Sequence, residues 1–249
     1  MNEPRTFIHT RAAQMALQSI DRIVEEEIIG VVIAPPGCGK SECISYWRQK
    51  HGQKIRHVWI EADVLTSPRP ILNALVGVLG IHSGHNMAET KGLIEQALAA
   101  NPLPIFFDET DLLTVRALEL LRSIWDQVSA LRRMNGDRAF PLALFGAPRL
   151  AKMLDRDDLE RLHRRIFHVA SLPTLAREEL RKFLSTKWPD YSVEDEALED
   201  FLALSRGSFG WVNNIMRVAT RLAARNGRTI TLRTLKATRK HLIGLPEEE

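Results

Sequence analysis

The sequence predicts an α/β fold: a parallel sheet flanked by helices, followed by a small all-helical domain. Two observations carry this. Short β-branched or aromatic runs alternate with stretches of helical periodicity up to about residue 173, the pattern of parallel strands joined by crossover helices. After Leu172-Pro173 the strand-like runs stop, and Ala176 to Ile243 reads as helices broken at Pro189, Gly207 and Gly227. The boundary is therefore set between an α/β domain over 1–173 and a small helical domain over 174–249.

The elements follow in order. From Thr10 to Glu27, apolar Ala13, Met15, Leu17, Ile20, Ile23 and Val24 fall at helical spacing. Ile28 to Ile33 is a β-branched run suited to a strand buried on both faces. A glycine-containing loop comes next, then a helix to about Lys50. Val58-Trp59-Ile60 reads as the second strand. Pro70 to Leu79 and Ala88 to Ala99 read as helices. Ile105-Phe106-Phe107 is a third strand, ended by acidic residues. Asp111 to Met134 reads as one long amphipathic helix, with Asp111 as its N-cap. Leu142 to Phe145 and Ile166 to Val169 complete the sheet.

Composition narrows the function classes. The chain has 249 residues with 45% hydrophobic and 26% charged content, an ordinary globular balance large enough for a real core. No apolar run approaches the roughly 18 residues of a membrane span. Met1 to Arg5 holds no apolar stretch of the kind a secretory signal needs. Cys38 and Cys43 sit at and just after a tight loop, where a disulfide would distort the helix start. Both are read as free thiols, which places the chain in a reducing cytoplasm. The net charge of +3 is compatible with a nucleic-acid partner without demonstrating one.

Ala34-Pro35-Pro36-Gly37-Cys38-Gly39-Lys40-Ser41 matches the Walker A pattern except that Ala34 replaces the first glycine. Gly37 and Gly39 let the backbone curl so that successive N–H groups meet phosphate oxygens. The helix that follows adds its positive end. Pro36, Gly37, Cys38, Gly39, Lys40 and Ser41 are thus the expected phosphate-binding residues. Lys40 reaches the β- and γ-phosphates, and the Ser41 hydroxyl ligates magnesium. The strand Ile105-Phe106-Phe107 ends in Asp108-Glu109, the Walker B form. Asp108 is expected beside the magnesium, through a water. Glu109 is expected to orient and polarise the attacking water, as general base or positioning residue. ATP and Mg2+ are the cofactors these motifs imply.

These motifs, with the Phe145-Gly146-Ala147-Pro148 strand end and Arg161-Leu162-His163-Arg164-Arg165-Ile166, resemble the AAA+ ATPases that regulate DNA transposition, the family of the phage Mu B protein and its TnsC and TniB relatives. The likeness runs from about Pro4 to Leu245. It implies an AAA+ P-loop sheet with a small helical lid. It also implies an ATPase that forms ATP-dependent helical filaments on double-stranded DNA, selects and delivers target DNA, and activates a partner transposase. The composite site of such a filament needs an arginine from the neighbouring subunit. Arg165 is the candidate finger, with Arg161 and Arg164 as alternatives. The family's DNA-facing loops correspond here to Thr66 to Arg69 and His82 to Asn86, followed by Lys91. Arg69, His85 and Lys91 are the expected DNA contacts, aided by two helix N-termini.

Two departures stand out. Ala147 lies where relatives place Asn or Gln, and Gly210 or Trp211 lies where they place an arginine. Slow hydrolysis is expected from both. Arg217, Arg221 and Arg225 recur every fourth residue and make one basic face, open to DNA, transposase or solvent. Trp47, Trp59, Trp125 and Trp188 read as core, and Trp211 as a candidate nucleotide neighbour. Glu247 to Glu249 reads as a frayed end. A second reading, an AAA+ switch acting on a protein client without filaments on DNA, uses the same motifs.

Overall fold

The computed structural model describes residues 7–133, 136–224 and 227–242. Met134, Arg225 and the final Glu247 to Glu249 named above lie outside them. The chain forms two compact units. One gathers Met15–Ala34 and Lys40–Leu172; the other gathers Met1–Gln14, Pro35–Gly39 and Pro173–Glu249.

The larger unit is the α/β body. Its elements are α1 (Arg11–Glu26, of which the first turn belongs to the other unit), β1 (Ile29–Ile33), α2 (Lys40–His51), β2 (Val58–Glu61), α3 (Pro68–Leu79) and α4 (Met87–Ala100). They continue with β3 (Ile105–Asp108), α5 (Val115–Arg133), β4 (Leu142–Gly146), α6 (Arg149–Leu154), α7 (Glu160–His163) and β5 (Ile166–Ser171). The five strands lie in the order β2-β3-β4-β1-β5, and every pairing is parallel. Parallel pairs bury both faces, which explains why β1, β3 and β4 are nearly continuous apolar runs. Ile29, Val31, Phe107, Leu142 and Leu144 form one core with Leu118, Leu121 and Val128 of α5 and Leu72 and Leu75 of α3. The Trp47 indole is buried and donates to Asp21 Oδ1 at 2.8 Å, and the Trp125 indole donates to the Phe140 carbonyl at 3.0 Å. Trp59 lies under the Arg48 guanidinium, 4.5 Å from the ring centre.

One helix differs from its expectation. The segment after β3 begins with a separate 3-10 turn, Thr110–Leu112, and α5 starts only at Val115. Asp111 lies inside that turn and caps nothing. Its carboxylate is engaged elsewhere, as described below.

The smaller unit contains α8 (Arg177–Lys187), α9 (Asp195–Ser205), α10 (Phe209–Ala223) and α11 (Leu232–Arg239). The helices end where the sequence predicts, at Pro189, at Gly207 with φ 61° and at Gly227 with φ 63°. Their core joins Leu180, Phe183, Phe201, Val212, Ile215, Met216 and Leu235. The unit is not purely helical. Ser192–Val193 (β6) and Thr229–Ile230 (β7) pair in parallel, too short to show as periodicity.

Candidate nucleotide site

The phosphate loop follows β1 directly. Gly37 and Gly39 have φ of 75° and 89°, the left-handed region where a side chain is strained. Pro35–Gly39 is packed within the smaller unit. The Ser208 hydroxyl donates to the Pro36 carbonyl at 3.2 Å, and the Gly210 N–H donates to the Gly37 carbonyl at 3.2 Å. A Cβ added at Gly37 would lie 2.5 Å from Ser208 Oγ and 3.2 Å from Gly210 N. Gly37 is therefore required twice, by its dihedral and by this close approach. At Gly210, the place of the expected family arginine, the backbone N–H does work on the loop instead. Trp211 follows it on the first turn of α10, partly exposed. Cys38 is buried, whereas Pro36 is exposed.

Lys40 and Ser41 open α2 in the larger unit. The Lys40 ammonium is buried and donates to the Ala34 carbonyl at 3.1 Å. The Ser41 side is exposed. Cys43, one turn further, is a buried thiol pushed up to about 12 by its burial and by Glu42.

Asp108 ends β3 and is fully buried. Its Oδ1 accepts the Glu109 N–H at 2.9 Å, while its Oδ2 has no hydrogen-bond partner among the described residues. A buried carboxylate oxygen without a partner costs stability unless a cation or its water shell satisfies it. The arrangement fits a magnesium-bound water in the smallest possible way: a hard anionic oxygen in a strand end.

Glu109 takes φ 52° and ψ 37°, an unusual backbone for a glutamate. The turn is held by Leu112 N–H to the Glu109 carbonyl at 2.9 Å and by the Thr110 hydroxyl to the Phe107 carbonyl at 3.1 Å. Strained side-chain-bearing residues of this kind gather at functional sites. Burial raises the Glu109 pKa. Lys40 opposes the rise, and Asp108, Asp111 and Glu61 add to it. A carboxyl lifted in this way is a better proton acceptor than an ordinary one.

Asp111 and Arg149 are the residues that sequence reasoning missed here. Asp111 Oδ1 accepts the Ala147 N–H at 2.9 Å, and Oδ2 accepts Arg149 Nε. Burial works to raise the Asp111 carboxyl, but these two donors outweigh it and hold it below the ordinary carboxylate range. The same peptide that presents the Ala147 N–H offers its carbonyl, Gly146 O, to Ala34 N–H at 3.1 Å. One peptide plane thus joins the start of the phosphate loop to the turn after the acidic pair. The only sequence signals were an acid three residues past Asp108 and an arginine three past Gly146.

The remaining candidates have other partners or face solvent. Arg165 precedes β5 and pairs with Asp126 of α5 at 2.7 Å. Arg164 pairs with Glu160, and no ion pair engages Arg161 among the described residues. Arg69 is exposed on α3, and His85 is exposed before α4. Lys91 is drawn into an ion pair with Glu95 one turn along α4, which reduces its availability to a phosphate. The two helix N-termini are also poorer anion sites than expected. Pro68 and Pro70 leave Arg69 as the one N–H among the first three positions of α3. At α4, Asn86 accepts the Glu89 N–H at 2.9 Å, and the Glu89 carboxylate accepts the His85 N–H at 2.7 Å. That reciprocal cap occupies the donors and adds negative charge. No hydrogen bond or ion pair joins Arg69, His85 and Lys91 among the described residues. Arg217 and Arg221 are exposed on α10. No helix of the described residues is long and apolar enough to cross a membrane.

Comparison with solved structures shows the same fold in several proteins of low sequence identity. Cdc6p from Pyrobaculum aerophilum matches with a TM-score of 0.70 and 16% identity, over 98% of this chain and 71% of that one. The Aeropyrum pernix ORC1 protein, solved in complex with DNA, matches with a TM-score of 0.60 and 15% identity, over 96% and 66%. The Thermotoga maritima RuvB Holliday junction branch migration motor matches with a TM-score of 0.59 and 19% identity, over 95% and 70%. No curated protein matches the sequence. The model of the AAA domain matches residues 24–154, more than half of the 249 residues. That span runs from the end of α1 through both acidic and phosphate-binding motifs to the end of α6, and the chain belongs to the AAA domain family of ATPases.

Proposed function

We propose that the chain is a magnesium-dependent ATP switch that binds double-stranded DNA without sequence preference and assembles on it head to tail as a helical filament. In this reading it delivers target DNA to a partner transposase and activates it. The observation that carries the nucleotide half is Asp108 Oδ2, buried and without a partner, in a unit that also buries the Lys40 ammonium. Lys40 would neutralise the β- and γ-phosphates. Ser41 and, through water, Asp108 would hold magnesium, which when bound supplies charge for the phosphate oxygens. Glu109 orients the attacking water and takes its proton. Arg165 of a neighbouring copy would complete the site once it leaves Asp126. With Ala147 and Gly210 apolar, turnover is slow, and the protein works as an ATP-gated clamp.

The DNA half rests on the motif resemblance and on the likeness in fold to a protein solved with DNA. Contacts to phosphates, with Arg69 foremost, would make binding sequence-tolerant and steeply salt-dependent. A second reading, a switch with a protein client, is favoured by one feature. Val64 and Leu65 are 80% and 79% exposed, beside the acidic Asp63, in a loop fixed by Asp63 and Thr66. Rigid exposed aliphatic residues beside an acid suit a protein better than a phosphate backbone.

A labelled random duplex titrated with ATP, ADP or no nucleotide at two salt concentrations tests the choice, with negative-stain imaging of the ATP sample. Salt-sensitive binding with ATP alone, and filaments along the duplex, are expected. Nucleotide binding without DNA binding under any condition would overturn the DNA reading in favour of the protein client.

A further inference from the structure

We propose that Arg149 contacts the γ-phosphate of ATP bound to its own chain, and that Asp111 is the positioning residue that aims it. The proposal rests on the reading of the site as an ATPase and adds a cation to it.

The placement follows from a continuous chain of contacts within the larger unit. Lys40 Nζ donates to the Ala34 carbonyl, and Ala34 N–H donates to the Gly146 carbonyl. The next atom pair of that peptide, Ala147 N–H, donates to Asp111 Oδ1, and Asp111 Oδ2 accepts Arg149 Nε. Arg149 is therefore three hydrogen bonds and one peptide plane away from Ala34, whose carbonyl accepts from the phosphate-binding lysine. Asp111 itself is near enough to Glu109 to influence it.

The two partners differ sharply in exposure. The Asp111 side chain is 3% exposed and Arg149 is 58% exposed. A buried carboxylate with two donors is a fixed anchor. It grips the Nε edge of a guanidinium, and no hydrogen bond of the Arg149 Nη groups is seen among the described residues. A guanidinium held on one edge with its fork open is preorganised for bidentate binding of a phosphoryl group. Gly146 makes the grip possible. A Cβ there would lie 2.9 Å from Asp111 Oδ1 and 2.7 Å from Leu150. Glu61, Asp108 and Asp111 lie close enough to act on Glu109 beside Lys40. A triphosphate brought up to those carboxyl groups gains from a guanidinium in addition to Lys40 and the magnesium ion.

The test compares Arg149→Ala, Arg149→Lys and Asp111→Asn with wild type, Lys40→Ala and Glu109→Gln. Fluorescent ATP and ADP analogues report affinity, phosphate release reports turnover, and thermal melting reports folding. Arg149→Ala is expected to keep ADP affinity within about twofold while lowering the preference for ATP over ADP by about tenfold. It should also reduce kcat by about 100-fold, the scale of one lost charge-stabilising donor. Arg149→Lys should restore part of both, and Asp111→Asn should lower kcat more than it changes KM. If Arg149→Ala keeps the wild-type ATP preference and kcat, or loses ATP and ADP affinity equally, the proposal falls. If instead wild type and Glu109→Gln release phosphate alike, the ATPase reading of the site fails. The ATP-to-ADP preference then still decides the role of Arg149.

Discussion

The phosphate loop and the acidic strand end are built on opposite plans. The loop works through its backbone. Its glycines adopt left-handed dihedrals, and its carbonyls are held by Ser208 and Gly210. The strand end works through side chains. Asp108 and Asp111 each hold a backbone N–H, and Asp111 also holds Arg149. A backbone device tolerates a change such as Ala34 for glycine as long as the dihedrals survive. A side-chain device fails when one carboxylate is altered, even if the fold is untouched.

Three substitutions break or sharpen this contrast. Gly37→Ala should cost the most nucleotide affinity, because it meets both an unfavourable φ and the Ser208 hydroxyl. Nucleotide affinity should fall by more than about tenfold, consistent with roughly 1–3 kcal/mol of backbone strain. Equilibrium binding of a fluorescent ADP measures it, and wild-type affinity would show that the loop relaxes freely. Glu109→Gln should leave binding intact and lower kcat by about 10²–10³, as loss of a positioned base does. Phosphate release beside ATP affinity separates the two, and a loss of affinity equal to the loss of rate would show that Glu109 is structural. Ser208→Ala should have the smallest effect. It removes one neutral hydrogen bond to the loop, about 1 kcal/mol, and should change nucleotide affinity by about fivefold or less. Stopped-flow dissociation of the fluorescent nucleotide resolves that, and a change above about tenfold would make the hydroxyl a direct ligand.

The two devices were also unequally legible. The loop could be read from Gly37, Gly39 and Lys40 because its parts are contiguous and its constraint is local. The strands themselves could be read from short apolar runs for the same reason, since parallel strands bury both faces. Asp111 was misread as a helix cap because its true partners lie 36 and 38 positions away, and nothing local distinguishes a cap from such a tie. Lys91 looked available because charge is visible in sequence, whereas its pairing with Glu95 competes with a simple solvated reading. The β6–β7 pair was invisible, since two residues carry no period. Helix N-termini were overvalued as anion sites because Pro68, Pro70 and Glu89 had not been set against the donors they remove.

That β6–β7 pair has a consequence for how the smaller unit comes apart. It joins Ser192 to Thr229 and Val193 to Ile230, so the segment between them, α9 and α10 included, is a closed loop. Such a loop gains its last pairing only after the intervening chain is ordered. α11 lies outside that loop and can come away first, whereas α9 and α10 cannot part from the unit one at a time without giving up this staple. Amide protons of α9 and α10 should exchange together as one cooperative block, and those of α11 ahead of them.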